Sequence, residues 1–152
     1  MENVRVAIWG FGAMGSGIAK MLLGKKGVEI TGVCDMWDKL NGMSIFDRLG
    51  IERGERKDVL ISNDINTVIY KGAADVAIVA TDSFVPAVFP KIKFVLENGI
   101  NVVTTAEEMS YPKAQHPELA AELDRIAKEN GVSVLGTGIN PGLMMDLHAA
   151  LR

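Results

Sequence analysis

Residues 4–17, VRVAIWGFGAMGSG, decide the fold of this chain. The apolar run at 4–9 predicts a β-strand, and it leads directly into glycines at positions 10, 12 and 15. Apolar side chains then recur at helical spacing as far as residue 23, which predicts an α-helix. A strand, a GxGxxG turn and a helix in this order are the context in which the glycine pattern indicates a dinucleotide phosphate site.

Each glycine of the pattern has its own physical role in such a site. Gly10 permits the tight turn, Gly12 lets the backbone approach a pyrophosphate, and Gly15 lets the helix pack closely on the strand. The first N–H groups of the helix have no partner within it, and the helix dipole adds partial positive charge there. We therefore predict that a pyrophosphate binds at Gly10, Gly12, Ala13, Met14 and Gly15.

Composition limits the classes of function that are open to the chain. It has 152 residues, of which 48% are hydrophobic, and this is enough for one folded domain with a core. The net charge of −3 argues against nucleic acid as the main partner, and no apolar run reaches membrane-spanning length. Cys34 lies in a predicted strand, and we expect it in the core. We expect a cytoplasmic protein with no metal site and no membrane or nucleic-acid partner.

A second strand is predicted at residues 28–35, and it ends in an acidic residue. Asp35 follows Gly15 by 20 residues, the separation at which a dinucleotide-binding fold places a carboxylate on the adenosine ribose hydroxyls; the alternative is an ordinary solvated aspartate. Such a carboxylate also repels a 2′-phosphate, by roughly 1–4 kcal/mol at about 4 Å. NAD is therefore expected to be preferred over NADP, with Asp38 strengthening that repulsion and Lys39 offsetting part of it.

Strand and helix patterns alternate along the rest of the chain, which is typical of an α/β fold. We predict a doubly wound, mostly parallel sheet of the Rossmann type, in a single cofactor-binding domain, with about six strands in the order 3-2-1-4-5-6. Pro90 is expected to kink or split the helix that contains it. The further strands are predicted at 59–61, 74–80, 100–105 and 132–135, and the further helices at 65–70, 84–98 and 118–130.

Polar residues follow the predicted fourth and fifth strands. In a sheet of this order, the carboxyl ends of the strands face the ligand crevice. Thr81, Asp82 and Ser83 are therefore expected beside the nicotinamide ribose, although the same residues also fit a cap of the next helix. Thr105 ends the predicted fifth strand, and we expect it near the nicotinamide.

The loops after the fifth and sixth strands supply candidate catalytic residues. Glu107 and Glu108 place adjacent carboxylates at the crevice, where they could meet a substrate ammonium group; the alternative is ordinary surface charge. Residues 136–142, GTGINPG, contain three glycines, so this backbone must turn tightly or approach something closely. We predict that Asn140 and Pro141 contact the cofactor, and we take Glu107 and Asn140 as candidate catalytic residues.

Two longer runs resemble a known enzyme family. Residues 101–112 (NVVTTAEEMSYP) and 136–146 (GTGINPGLMMD) are similar to the 2,4-diaminopentanoate dehydrogenase family. The first half of the chain resembles the N-terminal domains of dihydrodipicolinate reductase and its relatives, and residues 138–143 are similar to the nicotinamide-side loop of saccharopine-type dehydrogenases. The resemblance implies NAD(P)-dependent oxidative deamination of 2,4-diaminopentanoate to 2-amino-4-oxopentanoate and ammonia, a step of ornithine fermentation.

The resemblance also implies a longer protein. Residues 1–142 would form its NAD(P)-binding domain, and residues 143–152 would begin the helix that leads to a second domain for substrate binding and oligomerisation. A homo-oligomer acting on a small diamino acid is expected, and the isolated chain is expected to be inactive. Two alternatives stay open, namely an imine reductase similar to dihydrodipicolinate reductase and a non-catalytic nucleotide-binding module.

Overall fold

A computed structural model describes residues 3–151, apart from the side chains of residues 145, 146 and 149. Its six strands form one parallel sheet in the order β3-β2-β1-β4-β5-β6, as predicted. The strands are β1 (Val4–Trp9), β2 (Val28–Cys34), β3 (Ile61–Ser62), β4 (Val76–Val79), β5 (Asn101–Thr104) and β6 (Val134–Gly136). The α-helices are α1 (Ala13–Leu23), α2 (Ile45–Leu49), α3 (Val85–Glu97), α4 (Pro117–Asn130) and α5 (His148–Ala150).

Strand β1 lies inside the sheet and contributes to two separate apolar layers. Val6 and Ile8 belong to the cluster that includes α1 and α2, whereas Ala7 and Trp9 belong to the cluster that includes α3 and α4. Neighbouring residues of a strand point to opposite faces, so a strand covered on both faces must be apolar throughout. The doubly wound fold, which covers both faces of β1, therefore explains why residues at the start of the sequence are almost all apolar.

Helix α3 is a single helix through Pro90, so of the two outcomes expected there, a kink or a split, the split does not occur. Proline at this position removes one N–H, whose partner would be the carbonyl of Pro86 one turn earlier. Both prolines are exposed, so water can satisfy that carbonyl. Within residues 3–151, none of the helices is long and apolar enough to cross a membrane.

The third strand is shorter and later than predicted. Leu60 forms an antiparallel bridge with Ser44, which takes it out of the parallel ladder, and β3 pairs with β2 only at Ile61 and Ser62. The helix predicted next is a single turn of 3-10 helix, Ile65–Thr67. These short elements carry few ladder or helix hydrogen bonds, so sequence patterns define their limits poorly.

Cys34 lies at the end of β2 and is fully buried, which confirms its expected place in the core. Burial, together with the smaller effect of the negative charges of Asp35 and Asp64, raises the pKa of its thiol to about 11. The thiol is therefore protonated at neutral pH.

Candidate functional site

The turn between β1 and α1 has no room for a side chain at two of its glycines. Gly10 has a φ of +96°, and a β-carbon there would lie 2.6 Å from the carbonyl oxygen of Ala80, just after β4. A β-carbon on Gly15 would collide with the carbonyl oxygen of Gly10. Both positions require glycine for packing within the fold, independently of any ligand.

Gly12 differs because the space beside it is open. A β-carbon there would have no atom within 4 Å, and its φ of −71° suits any residue. Across residues 3–151, the N–H groups of Ala13, Met14 and Gly15, which begin α1, have no hydrogen-bond partner. Open space beside the unpaired N–H groups of a helix N-terminus is the environment that a pyrophosphate requires. The residues present therefore fit a dinucleotide.

Asp35 is fixed against the glycine turn. One of its carboxylate oxygens accepts a hydrogen bond from the N–H of Phe11 at 2.6 Å, and the other accepts one from the N–H of Trp37 at 2.9 Å. Phe11 is fully buried, so the carboxylate is attached to a well-packed part of the chain. Each carboxylate oxygen keeps a further lone pair. The carboxylate of Asp35, which is predicted to bind the ribose, thus lies beside the turn, and its oxygens can accept further hydrogen bonds.

The charged residues that follow Asp35 are engaged with nearby groups. The carboxylate of Asp38 accepts a hydrogen bond from the side-chain amide of Asn63 at 3.0 Å. The ammonium nitrogen of Lys39 lies 5.7 Å from the ring centroid of the exposed Trp37, within cation–π distance.

A cleft of about 420 Å³ opens at the carboxyl ends of β4 and β5. It brings together residues from four segments that are distant in sequence, namely the start of α1 and the loops after β4, β5 and β6. Most of the residues predicted for the nicotinamide side of the site are among its lining. The lining residues are Met14, Ala80, Thr81, Asp82, Ser83, Thr105, Glu107, Ile139 and Asn140.

Asp82 forms an ion pair at the side of this cleft. Its Oδ2 atom accepts hydrogen bonds from Nζ of Lys91 at 2.5 Å and from the hydroxyl of Thr81 at 2.6 Å. Burial alone would raise the pKa of Asp82, but the hydrogen bonds from Lys91 and Thr81 outweigh that effect and hold the pKa below its usual value. Asp82 is therefore ionised at neutral pH and orients the Thr81 hydroxyl.

The two adjacent glutamates have different surroundings. Oε2 of Glu108 accepts a hydrogen bond from the N–H of Val85, in the first turn of α3, at 2.8 Å and lies 3.5 Å from Nε2 of His116. The N–H of Glu108 donates to the carbonyl of Ser83 at 3.1 Å. Glu108 thus ties the loop after β5 to the start of α3, whereas Glu107 lines the cleft. The structure divides the predicted pair into a capping carboxylate and a cleft carboxylate.

The loop after β6 is folded back on the end of β5. The N–H of Thr137 donates to the carbonyl of Thr104 at 3.0 Å. Gly142 has a φ of +115°, and a β-carbon there would lie 3.0 Å from the Thr137 hydroxyl. The Asn140–Pro141 peptide is cis. Asn140 is exposed and lines the cleft, but Pro141 is buried and is not among the lining residues.

Two residues that matter to the site were not found from the sequence. Phe11 occupies the variable position between two glycines, yet it anchors the turn in the core and donates its N–H to Asp35. Lys91 lies nine residues after Asp82, a separation for which no short-range pattern predicts contact. An apolar residue inside the glycine pattern was the available signal for Phe11, and for Lys91 the sequence offers none.

Comparison with known proteins identifies the family. Residues 4–135 match the family described as the N-terminus of dihydrodipicolinate reductase. The chain belongs to this family. This dihydrodipicolinate reductase-type domain is also 58% identical, over 151 residues, to the 2,4-diaminopentanoate dehydrogenase of Acetoanaerobium sticklandii. That match covers 99% of this chain and 42% of the relative.

Solved structures agree on the fold of the domain. It is 35% identical to the amine dehydrogenase from Mycobacterium smegmatis, with a TM-score of 0.80, over 90% of this chain and 40% of that one. GenD2 from gentamicin A biosynthesis, solved in complex with NAD, is 21% identical with a TM-score of 0.66, over 90% of this chain and 34% of that one. The fold is that of pyridine-nucleotide-dependent dehydrogenases, and the chain spans about two fifths of the length of its first-named relatives.

Proposed function

We propose that this domain is the nicotinamide-nucleotide-binding part of a dehydrogenase that oxidatively deaminates 2,4-diaminopentanoate. The observation that carries the proposal is the 58% identity to a 2,4-diaminopentanoate dehydrogenase over 99% of the chain. The 35% identity to an amine dehydrogenase of the same fold supports an amine as the substrate class. A place in amino-acid metabolism follows from the proposed substrate.

The glycine turn is the proposed pyrophosphate site. The unpaired N–H groups of Ala13, Met14 and Gly15 are the donors, and the open space beside Gly12 admits the phosphates. Hydrogen bonds to a charged group contribute about 1.5–3 kcal/mol each, so even two of them account for a substantial part of the binding free energy.

Asp35 is the proposed ligand of the adenosine ribose. The hydrogen bonds from the N–H groups of Phe11 and Trp37 hold its carboxylate in place, and the lone pairs that remain can accept the ribose hydroxyls. A fixed carboxylate also repels the 2′-phosphate of NADP. We therefore propose NAD as the preferred cofactor. NADP is accepted more weakly, and the positive charge of Lys39 offsets part of the repulsion of its 2′-phosphate.

The cleft beyond the turn is the proposed place of the nicotinamide and the substrate amine. Thr81, Ser83 and Thr105 supply hydroxyl groups along its wall, and Asn140 supplies an amide. A nicotinamide nucleotide bound here supplies a hydride acceptor. Glu107 is the proposed catalytic residue, since a carboxylate in the cleft can hold a substrate ammonium group and accept its proton before the hydride leaves.

The cleft is open, and several exposed apolar side chains surround or follow it. Met14 and Ile139 line the cleft, and Leu143, Leu147 and Leu151 are exposed in the segment that follows the last strand. Contiguous exposed apolar surface marks an interaction site. We propose that residues 143–152 lead into a second domain that covers the cleft and carries the contacts of a homo-oligomer; residue 152 lies outside the described residues.

An assay of the full-length protein tests the activity. With 2,4-diaminopentanoate and NAD as substrates, the expected result is the formation of NADH and the release of ammonia. Activity instead with the cyclic imine substrate of dihydrodipicolinate reductase would replace this proposal by the reductase alternative. Nucleotide binding without turnover of either substrate would favour a non-catalytic module.

A titration of the chain with NADH and NADPH tests the assignment of Asp35. Asp35→Ala is expected to weaken NADH binding by about 10- to 100-fold, because a charged acceptor of two hydroxyls is lost. The difference between the NADH and NADPH affinities is expected to become smaller. Asp38→Ala is the matched control for the NADH affinity, since it removes the same charge from the same loop but from a carboxylate bonded to Asn63; its NADPH affinity is not part of the control, because Asp38 adds to the charge that repels the 2′-phosphate. If Asp35→Ala binds both nucleotides as tightly as the parent chain does, Asp35 is not the ligand of the ribose.

A further inference from the structure

A second cavity lies at the amino-terminal ends of the strands, whereas the cleft lies at their carboxyl ends. It has a volume of about 350 Å³ and is bordered by Asn3, just before β1, and by Val28, the first residue of β2. The cleft described above opens where the same strands end. A six-residue strand is about 20 Å long, so the two sites are separated by about that distance, and their linings share no residue.

The cavity has both polar and apolar lining, and its apolar side chains lie at the base. Ile30 and Phe46 are buried at its base together with Val59, and the half-buried Leu22 and Leu23 come from the end of α1. The cavity therefore lies between α1 and α2 on one face of the sheet. Its volume is in the range that small-molecule sites occupy.

The polar lining of the cavity is mainly cationic. Lys25, Arg56 and Lys57 contribute positive charges against the single negative charge of Glu29. In residues 3–151, neither lysine forms an ion pair or a side-chain hydrogen bond. This net positive lining belongs to a chain whose overall charge is −3, so it is a local feature and not a sample of the average surface.

Arg56 is held in position by neighbouring groups. Its Nε donates to the carbonyl of Arg53 at 2.9 Å, and its Nη2 donates to the carbonyl of Glu52 at 2.6 Å. Its guanidinium carbon lies 5.1 Å from the ring centroid of Phe46, within cation–π distance. Among the described residues it has no carboxylate partner. A guanidinium held over a buried aromatic ring therefore keeps its charge available at the border between the apolar base and the cationic rim.

We propose that this cavity binds a small amphipathic carboxylate, with its apolar tail between α1 and α2 and its carboxylate beside Lys25, Arg56 and Lys57. The apolar side chains at the base favour a ligand with an apolar part over a fully polar anion, which would leave them uncovered. The cationic rim excludes an apolar ammonium compound, because like charges would meet at the mouth. The site is separate from the proposed cofactor site and does not depend on it.

The experiment is a titration of the ¹⁵N-labelled chain with octanoate, followed by amide chemical shifts. Saturable shifts at Leu22, Val28 and Phe46, with Gly12 and Asp35 unmoved, are the expected result. Heptylamine has the same seven-carbon tail with the opposite charge and is expected to bind at least about tenfold more weakly. Equal binding of the two compounds, or no shift with octanoate, would overturn the proposal.

Charge-reversal variants test the rim without disturbing the core. The double variant Lys25→Glu, Lys57→Glu is expected to lower octanoate affinity by about tenfold or more, because both side chains are exposed and unpaired. Lys71→Glu, an exposed lysine outside this cavity, is the matched control and is expected to bind octanoate as the parent chain does. Equal affinity in the double variant refutes the role of the rim. Shifts at the same residues that follow chain dilution in the absence of octanoate would instead assign the cavity to contact with a second copy.

Discussion

Replacing a glycine by alanine at three positions of one short segment, Gly12, Gly15 and Gly17, distinguishes the effects on nucleotide binding from the effects on stability. A β-carbon on Gly12 meets no atom within 4 Å, and the same is true of the exposed Gly17 in the middle of α1. A β-carbon on Gly15 collides with the carbonyl oxygen of Gly10. Replacing each glycine by alanine therefore adds the same methyl group to three different environments.

The expected effects on stability follow from these environments. Gly17→Ala should stabilise the chain by about 1 kcal/mol, since alanine is the better helix former and nothing obstructs it. Gly15→Ala should destabilise it by about 3 kcal/mol, because backbone must move to relieve the collision. Gly12→Ala should change stability by less than about 1 kcal/mol, as the small penalty at a helix N-cap opposes the entropy lost by the unfolded chain. Urea denaturation measures all three.

The expected effects on nucleotide binding are different. In Gly12→Ala the methyl group occupies the space proposed for the pyrophosphate, and the loss of two N–H contacts to phosphate corresponds to about a 100-fold weaker affinity for NADH. Gly17→Ala should bind NADH as the parent chain does. A Gly12→Ala chain with undiminished affinity would refute the pyrophosphate site, and a Gly15→Ala chain as stable as Gly17→Ala would refute the packing argument.

Three further predictions concern groups outside the glycine turn. Glu108→Ala should lower the free energy of unfolding by about 1–2 kcal/mol, because the N–H of Val85 loses its acceptor, whereas Glu107→Ala should leave it unchanged within about 0.5 kcal/mol; the reverse order in urea denaturation would contradict the division of the pair. The thiol of Cys34, with its pKa raised to about 11 by burial, should react with a thiol reagent at neutral pH only after denaturant is added, and prompt reaction of the folded chain would contradict its burial. The pKa of Asp82 is lowered in the folded chain. The stability that this carboxylate contributes is therefore complete above its unfolded pKa and is lost as the pH falls through the lower folded pKa. Urea denaturation at neutral pH and below about pH 4 should show this loss on acidification.

The order of the sheet could be predicted because its determinants are local. The apolar run of β1, the glycine turn and the spacing of Asp35 each lie within a few tens of residues, and parallel connections of one hand leave few arrangements open. The sequence left open whether Pro90 kinks its helix or splits it in two, because the continuity of the helix depends on a solvent-exposed carbonyl at Pro86. Exposure of that kind is a property of the whole fold and is not visible in a local pattern.

The roles of Glu107 and Glu108 show the same limit within the candidate site. The sequence presents two adjacent carboxylates, and nothing in their order distinguishes them. They lie in a turn of 3-10 helix, Glu107–Ser110, in which successive side chains are rotated by about 120°, so the two side chains leave the turn in different directions. The N-terminus of α3 lies on the side that Glu108 faces, and it fixes that carboxylate through the N–H of Val85. Only the packing of α3 against this turn, set by contacts far apart in sequence, leaves Glu107 facing the cleft and makes it the better candidate for the substrate amine.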